Sequence, residues 1–578
     1  MNDCFQNENN AVFGVFLQRL DNICIFTAIF FVSKSKFVIM KKAIFVFVFT
    51  LLGYTSYAQS ELLTIAEKTD FSTTSTYDDV IYFINELQSS SQYIKLDTIA
   101  ISAEGRSIPL LILANPLPQN LDQVGDRIVV YIQANIHAGE VEGKEATQML
   151  ARELLKNPSS EIMKNVVTLI VPILNADGNE KFSLENRTNQ NGPVNGVGVR
   201  YNGQHLDLNR DAMKLETPEI GGVVENILNT WDPAITVDCH TTNGSFHEEP
   251  ITFTWMMNPN GDRNLINYMR DDMMPNVHKV LWDKYDVQNI YYGEFIDKMN
   301  MEKGWISYAS EPRYLVNYIG IRNRLAILNE NYVYADFKTR VYGCYSLLET
   351  ILDYASDNKN EISKLLMAAD KLTISRGVSP SLTDSFAIEY KGEPTPSPIT
   401  ILAYETDTIP GVKGYWRYKQ SDRKRTVTVP YIADYYATKS VKFPYAYILS
   451  VSDQRVIQLL RKHGIHVSQM NDNNKLQVEK FKIAKLNGSS RLNQGHYTNS
   501  VKGEFVQEEV DFEAGTYIVF TSQKLGSLVA SLLEPQSNDG LLKWNFFDRY
   551  LAPQWGGSFY PYPVCKLMKQ TDISLIKE

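Results

Sequence analysis

Short apolar runs alternate with stretches of helical spacing along the first two thirds of the chain. The apolar runs have the length of buried strands and lie at residues 108–113, 127–133, 166–174, 234–238 and 325–328. Helical periodicity is found at residues 77–88, 142–155, 217–231, 264–282 and 335–354. Strands that alternate with helices form sheets covered on both faces. The pattern therefore predicts an α/β domain at residues 60–378, with a mixed, mostly parallel central sheet flanked by helices.

The pattern changes near residue 384. A Pro-rich joint at residues 392–398 is followed by short alternating segments, at residues 426–429, 446–451, 477–483 and 517–521. One helical stretch, residues 453–463, interrupts them. We therefore predict a β-rich C-terminal accessory domain at residues 380–578, whose role the pattern does not indicate.

The N-terminal region has the organisation of an export signal. A basic start at residues 40–42 precedes an apolar run at 43–52 and a small-x-small sequence at 56–58. A membrane anchor is the alternative, but the apolar run is short for a bilayer span. We expect residues 1–39 to be a non-native upstream extension and residues 40–58 to be a cleaved signal peptide. The protein would then be secreted or periplasmic, with no integral membrane span after cleavage.

Composition narrows the class of protein. With 578 residues the chain is too long for one ordinary domain, and 44% hydrophobic residues are enough for a large core. The net charge of −9 gives no basic footprint, so a nucleic-acid partner is not expected. After residue 58 the cysteines are scattered, at Cys239, Cys344 and Cys565. That spacing does not indicate a disulfide scaffold, and no bridge is expected.

Candidate metal ligands stand just after two of the predicted strands. The sequence His137-Ala-Gly-Glu140 follows the run at 127–133, and His240 follows the run at 234–238. The carboxyl ends of parallel strands meet at one edge of a sheet, so these side chains can converge. Two His and one Glu, with a fourth position left open, are the ligand set of a catalytic zinc. The sequence therefore predicts a zinc hydrolase.

Five sequence blocks carry a resemblance to a known family. They are His137-Ala-Gly-Glu140, Asn175-Ala-Asp-Gly178, Asp207-Leu-Asn-Arg210, Asp238-Cys-His240 and Leu328-Asn-Glu330. Over roughly residues 75–360 the chain resembles the zinc metallocarboxypeptidases of the carboxypeptidase A and carboxypeptidase T type. The resemblance implies that family's fold and one zinc ion held by His137, Glu140 and His240.

The resemblance also implies roles for the residues around the metal. Asp207 would orient His137, and Glu330 would be the general base that takes a proton from the attacking water. Asn209 and Arg210 would bind the free C-terminal carboxylate of a peptide substrate. A guanidinium offers the planar fork that such a carboxylate requires.

Two roles have competing candidates. Arg187 is favoured over Arg200 as the cation that stabilises the oxyanion. Tyr318 is the residue expected to close over the substrate, with Tyr314 as the alternative. The preference for a substrate side chain and the oligomeric state are not assigned.

The expected activity is hydrolysis of C-terminal peptide bonds by an exported zinc metallocarboxypeptidase. A related alternative is a carboxypeptidase of cell-wall peptides that cuts γ-D-glutamyl-diaminopimelate bonds. An N-acyl amino-acid deacylase is a second alternative, since such enzymes also use H-x-x-E and a later His. A peptide-binding module without catalysis is the third, although the complete ligand set and base disfavour it.

Overall fold

The computed structural model describes residues 61–307, 310–381, 383–414 and 417–576. The α-helices are α1 Ile65–Lys68, α2 Tyr77–Ser90, α3 Glu142–Lys156, α4 Glu161–Asn165, α5 Ala176–Asn179, α6 Pro218–Gly222, α7 Arg263–Tyr268, α8 Met274–Tyr285, α9 Leu315–Ile321, α10 Phe337–Val378, α11 Gln454–Lys462 and α12 Gly526–Leu533. Two π-helical turns, Val223–Leu228 and Met269–Met273, extend α6 and join α7 to α8. The predicted upstream extension and signal peptide lie outside the described residues.

The strands of the described residues form one large sheet and several smaller ones. They are β1 Ile94–Ile101, β2 Ser107–Leu113, β3 Ile128–Ala134, β4 Val166–Val171, β5 Ile235–Thr242, β6 Ile251–Trp255, β7 Asn289–Tyr291, β8 Glu294–Phe295, β9 Trp305–Ile306, β10 Leu325–Tyr332, β11 Ser385–Pro394, β12 Ile399–Thr408, β13 Tyr418–Val429, β14 Tyr431–Lys442, β15 Ala446–Leu449, β16 Ser468–Gln469, β17 Asn474–Gly488, β18 Asn499–Phe512, β19 Tyr517–Phe520 and β20 Val564–Leu567.

The large sheet confirms the predicted α/β class. Its eight strands have the order β1-β2-β4-β3-β5-β10-β6-β7. The central pairs β4–β3, β3–β5 and β5–β10 are parallel, whereas β1–β2, β2–β4 and β10–β6 are antiparallel. Every residue of β3 and β4 is buried, as expected for strands covered on both faces. The carboxyl ends of β3, β5 and β10 therefore meet at one edge.

The last helix of this region is longer than its sequence pattern indicates. The pattern predicts a helix at residues 335–354, but α10 runs from Phe337 to Val378. Beyond residue 355 its buried apolar positions narrow to a stripe at Ile362, Leu366 and Ala369. These positions are three or four residues apart, which is one line along a helix. A stripe this narrow is a weak periodic signal, so the helix predicted from the sequence ends too early.

The C-terminal third is rich in β-structure, as predicted. Strands β17 and β18 form a long antiparallel hairpin within a six-stranded sheet of the order β16-β19-β15-β20-β17-β18. Strand β14 pairs with β9 through Tyr431 and Trp305, so a C-terminal strand joins one from the first part of the chain. Leu62–Glu578 forms one compact unit. The proposed boundary at residues 378–380 coincides with the end of α10 and stays a prediction.

Two further observations concern the described residues alone. None of their helices has the length and apolar character that crossing a bilayer requires. Cys239, Cys344 and Cys565 are buried free thiols.

Candidate active site

Three predicted metal ligands converge at the carboxyl edge of the large sheet. The Nδ1 atoms of His137 and His240 are 3.2 Å apart. The Glu140 carboxylate lies 3.1 Å from the Nδ1 of His137 and 2.9 Å from the Nδ1 of His240. Ligands about 2.0–2.1 Å from a tetrahedral zinc are separated by about 3.3 Å. These buried donors therefore have the chemistry and the spacing of a zinc site.

Strand pairing and one turn bring these ligands together. Strands β3 and β5 are parallel neighbours, with Ala134 opposite Cys239, so residues beyond Ala134 reach the edge beside His240. Asn135 has φ +63°, which turns the chain directly after β3. Its side-chain amide donates to the carbonyl of Glu140 at 3.2 Å and thereby closes the loop that carries His137.

Each imidazole has a carboxylate on the ring nitrogen that faces away from the metal position. The Nε2 of His137 is 3.0 Å from the Oδ1 of Asp207, as the resemblance implied. The Nε2 of His240 is 3.0 Å from the Oδ2 of Asp238. Gln133 donates to the other oxygen of Asp238 at 2.8 Å. Such partners hold the tautomer that leaves Nδ1 free to bind a metal.

Asp238 is a functional residue for which the sequence predicted no role. A signal was available, since Asp238 and His240 are two residues apart in a strand and therefore face the same side. Asp207 remains ionised in this environment: burial opposes its charge, but the hydrogen bond to His137 and the charge of Arg200 hold its pKa well below the usual range.

Glu330 lies beside His240 across the sheet. Strands β5 and β10 pair in register with Glu330 opposite His240, so both side chains point to the same face. Burial raises the pKa of Glu330 to about 8, and the negative charge of Glu140 contributes, although His240 opposes the shift. A carboxyl group with a pKa near neutrality is suited to general acid–base catalysis.

A cavity of about 760 Å³ opens over these residues. The predicted site residues that line it are His137, Glu140, Arg187, Asn209, Arg210, His240 and Glu330. Asp207 supports the site from behind His137. The structure therefore brings together every predicted site residue except Tyr318.

Both candidate arginines for the oxyanion reach the cavity. The Nη2 of Arg187 is 2.5 Å from the Oε1 of Glu140. A Cβ on Gly139 would lie 3.0 Å from the Arg187 side chain, so a glycine leaves room for this approach. Arg200 lies further from Glu140, at 3.8 Å, and its Nε donates to Asp207 at 2.9 Å. Arg200 is thus engaged with Asp207, whereas Arg187 contacts the metal ligand itself.

The expected carboxylate-binding pair forms one wall of the cavity. Arg210 lies over the ring of Tyr314, with its guanidinium carbon 4.4 Å from the ring centroid. The side-chain oxygen of Asn209 accepts a hydrogen bond from the backbone nitrogen of Leu315 at 3.1 Å. These contacts fix the wall against the start of α9 and leave Arg210 facing the cavity.

The geometry contradicts the expectation that Tyr318 contacts substrate. Tyr318 is 0% exposed, and its hydroxyl group is 2.7 Å from the Nδ1 of His463. It lies one helical turn beyond Tyr314, which does line the cavity. Tyr314 precedes the first turn of α9, where a side chain can still reach the site. The alternative candidate, Tyr314, is therefore the tyrosine at the cavity.

Comparisons with known proteins agree with this geometry. The family model described as zinc carboxypeptidase matches residues 80–241. Carboxypeptidase 2 of Trichophyton tonsurans is 21% identical over 483 residues, covering 80% of this chain and 80% of that protein. Carboxypeptidase 2 of Trichophyton rubrum is 21% identical over 477 residues, covering 78% of this chain and 80% of that protein.

Among solved structures, a metallo-carboxypeptidase from Burkholderia cenocepacia aligns with a TM-score of 0.37 and 17% identity, over 49% of this chain and 70% of that one. The match to the family model is the more informative finding, since its segment contains all three donors of the metal site. Together with the His137–Glu140–His240 cluster, these comparisons support a zinc metallocarboxypeptidase, and the match to the family model itself covers residues 80–241.

Proposed function

We propose that this enzyme removes residues one at a time from the C-termini of peptides that carry a free α-carboxylate. The observation that carries the proposal is the placement of Arg210 in the same cavity as the His137–Glu140–His240 cluster. A guanidinium at that position binds a carboxylate next to the scissile bond. An endopeptidase would have no use for a fixed cation there.

A single Zn²⁺ ion would be held by His137, Glu140 and His240, each through one donor atom. When bound, it supplies Lewis-acid chemistry, polarising the scissile carbonyl and acidifying water. The donors fit this ion because two neutral imidazoles and one ionised carboxylate are a catalytic zinc set. The pKa of Glu140 is held well below its usual range: burial opposes ionisation, but the charges of His137 and Arg187 outweigh it.

Glu330 acts as general base and then as general acid in this proposal. It accepts a proton from the attacking water and passes it to the amine that leaves. Its pKa of about 8 applies to the site without added positive charge. A cation at the neighbouring ligands lowers that pKa, so Glu330 becomes able to accept a proton near neutral pH.

Each arginine of the site interacts with a different negatively charged group. Arg210, with Asn209 beside it, binds the substrate carboxylate, and Arg187 stabilises the oxyanion that develops on the scissile carbonyl. For this role Arg187 exchanges its contact with Glu140 for the substrate oxygen. Arg200 keeps Asp207 charged and thereby supports the orientation of His137.

The test is digestion of a peptide library, followed by mass spectrometry, with and without a zinc chelator. Loss of single residues from free C-termini, abolished by the chelator and much slower on amidated peptides, is the expected result. Internal cleavage, or release of acyl groups from N-acyl amino acids without peptide trimming, would overturn the proposal. Trimming confined to γ-D-glutamyl-diaminopimelate peptides would assign the enzyme to cell-wall substrates instead.

We also propose that the protein is exported. The support is the signal-like sequence at residues 40–58. Mass spectrometry of the N-terminal peptide from the exported protein is expected to find Gln59 as the first residue. A mature chain that still contains residues 43–52 would contradict cleavage.

A further inference from the structure

The segment that carries the carboxylate-binding residues is contacted by C-terminal residues at three points. This segment, residues 207–216, includes Asp207, Asn209 and Arg210. Each contact comes from a part of the chain more than 240 residues further on. The C-terminal residues involved lie at the tip of the β17–β18 hairpin, at the end of α11 and at Trp544.

The hairpin tip contacts Asp207. The tip is closed by paired hydrogen bonds between Asn493 and His496, of 2.8 and 3.0 Å. Gln494 and Gly495 have φ values of +51° and +80°, as two-residue hairpin turns of the primed type require. The side-chain oxygen of Gln494 accepts a hydrogen bond from the backbone nitrogen of Asp207 at 2.7 Å. The turn thus presents one acceptor to the residue that orients His137.

The far end of the segment rests on Trp544. The ammonium group of Lys214 lies 4.6 Å from the ring centroid of Trp544. The same ammonium group donates to the backbone carbonyl of Arg210 at 2.8 Å. His496 packs edge-on against Trp544 and places its Nε2 2.9 Å from Glu216. The carbonyl of Arg210 is therefore tied, through Lys214, to the C-terminal part.

The middle of the segment is held by His463. Its Nε2 lies 3.3 Å from the carbonyl oxygen of Met213. Its Nδ1 lies 2.7 Å from the hydroxyl of Tyr318 in α9, the helix whose start carries Tyr314. His463 therefore spans the two stretches that form the carboxylate-binding wall.

We propose that the C-terminal β-rich part positions the active site, and that Gln494 is a positioning residue for Asp207. Catalytic groups must be held within a fraction of an ångström by partners that are themselves fixed. Without the acceptor of Gln494, the amide of Asp207 shifts to find another partner, and the carboxylate on His137 moves with it. Arg210 lies in the same segment and moves too. The catalytic consequence rests on the proposed function, whereas the effect on the metal site does not.

The test compares Gln494→Gly and Gln494→Ala with the wild-type protein, using the full chain. Glycine accepts the positive φ of residue 494 and removes only the hydrogen-bond acceptor, so this variant keeps the turn. Zinc affinity, measured by competition with a chelating dye, is expected to fall about tenfold in both variants. The KM for a peptide with a free C-terminal carboxylate is expected to rise more than kcat falls.

Leu492→Ala is the matched control, because Leu492 is at the same tip and 61% exposed. It is expected to keep wild-type zinc affinity and KM. The proposal is overturned if Gln494→Gly has the same Tm, zinc affinity and KM as the wild-type protein. It is also overturned if Leu492→Ala loses as much affinity as Gln494→Gly. Zinc affinity needs no turnover, so this result is separable from a failure of the proposed peptidase activity.

Discussion

At the scale of single residues, the geometry of the site is set by the carboxylate that contacts the Nε2 atom of each histidine ligand. His137 and His240 both direct Nδ1 to the metal position because Asp207 and Asp238 occupy the Nε2 sides. Glu330 is the neighbouring carboxyl group with a raised pKa, and it faces the same cavity. Metal binding and proton transfer are thus assigned to different carboxyl groups, which substitutions can separate.

Glu330→Gln removes the proposed base without removing a ligand. We expect kcat to fall by about 10²–10⁴-fold, since this is the usual contribution of general acid–base catalysis. Zinc content should stay at the wild-type level. Glu294→Gln is the matched control, because Glu294 also lines the cavity. Wild-type turnover in Glu330→Gln would exclude Glu330 as the base.

Arg210→Ala tests recognition of the substrate carboxylate. Hydrogen bonds to charged groups contribute about 1.5–3 kcal/mol, so kcat/KM for free C-termini should fall roughly tenfold to a hundredfold. Arg210→Lys keeps the positive charge but loses the planar guanidinium fork. Its kcat/KM should therefore lie between those of the wild type and of Arg210→Ala. The slow residual hydrolysis of amidated peptides should not change. Equal losses on both substrate types would argue against this role.

The metal ligands could be predicted from the sequence because His137, Glu140 and His240 follow apolar runs, whereas the roles of Asp207, Arg210 and Glu330 were implied by the family resemblance. Asp238 was overlooked although its spacing from His240 places both on one face. Tyr318 was the wrong choice, since its position before Glu330 does not reveal where α9 begins. Gln494 could not be predicted, because its partner is 287 residues away and no local pattern marks it.

At the scale of elements, the site depends on close packing of α3 against the sheet. Gly143 in the first turn of α3 lies against β5, and a Cβ there would be 2.5 Å from the Cβ of Cys239. Cys239 faces α3, so its neighbours Asp238 and His240 face the site. The alternation of β5 therefore couples helix packing on one face to metal binding on the other.

Gly143→Ala should destabilise the fold by about 1–3 kcal/mol, the usual effect of overpacking. Thermal unfolding monitored by circular dichroism would report it as a lower Tm. Gly221→Ala is the control in a helix: its Cβ would meet nothing closer than Glu225 at 4.0 Å. Alanine is the better helix former, so that variant should keep or raise the Tm. An unchanged Tm in Gly143→Ala would contradict the close packing.

Element types were easier to predict than their extents. Helix α3 runs over residues 142–156, close to the predicted 142–155, because its apolar face is wide and regular. Helix α10 continues 24 residues beyond its predicted end. Its last part packs through a narrow stripe of apolar residues, which gives only a weak helical pattern in the sequence. The hairpin β17–β18 extends past its predicted strand at 477–483, since much of it is exposed and lacks an apolar alternation.

At the scale of the whole molecule, the C-terminal part and the catalytic part share one hydrophobic core. His463 lies between them. Burial, and then the charge of Arg322, lower the pKa of His463 to about 3. The neutral ring accepts from the Tyr318 hydroxyl and donates to Met213, so both nitrogens are satisfied without a charge. This arrangement makes the junction sensitive to acid.

The pH dependence follows from the two protonation states. The ordinary pKa of His is 6.5, so between pH 6.5 and about 3 the unfolded chain binds a proton that the folded chain does not. The free energy of unfolding should therefore fall as the pH falls through this window, by up to about 1.4 kcal/mol per pH unit. Urea unfolding at several pH values measures it.

His463→Gln should flatten that acid dependence, because the variant has no imidazole to protonate on unfolding. His466→Gln, at an exposed position three residues further on, should keep the wild-type slope. Identical slopes in wild type and His463→Gln would show that the junction does not depend on a neutral His463. No local pattern in the sequence marks this contact, since the partners of His463 are 145 and 250 residues away.

The central claim is that His137, Glu140 and His240 together hold one zinc ion. Elemental analysis of the purified protein after dialysis, compared with His137→Ala, His240→Ala and Glu330→Gln, tests it most directly. We predict about one zinc per chain in the wild type and in Glu330→Gln, and little zinc in either His variant. Full zinc content in His137→Ala or His240→Ala would contradict the account.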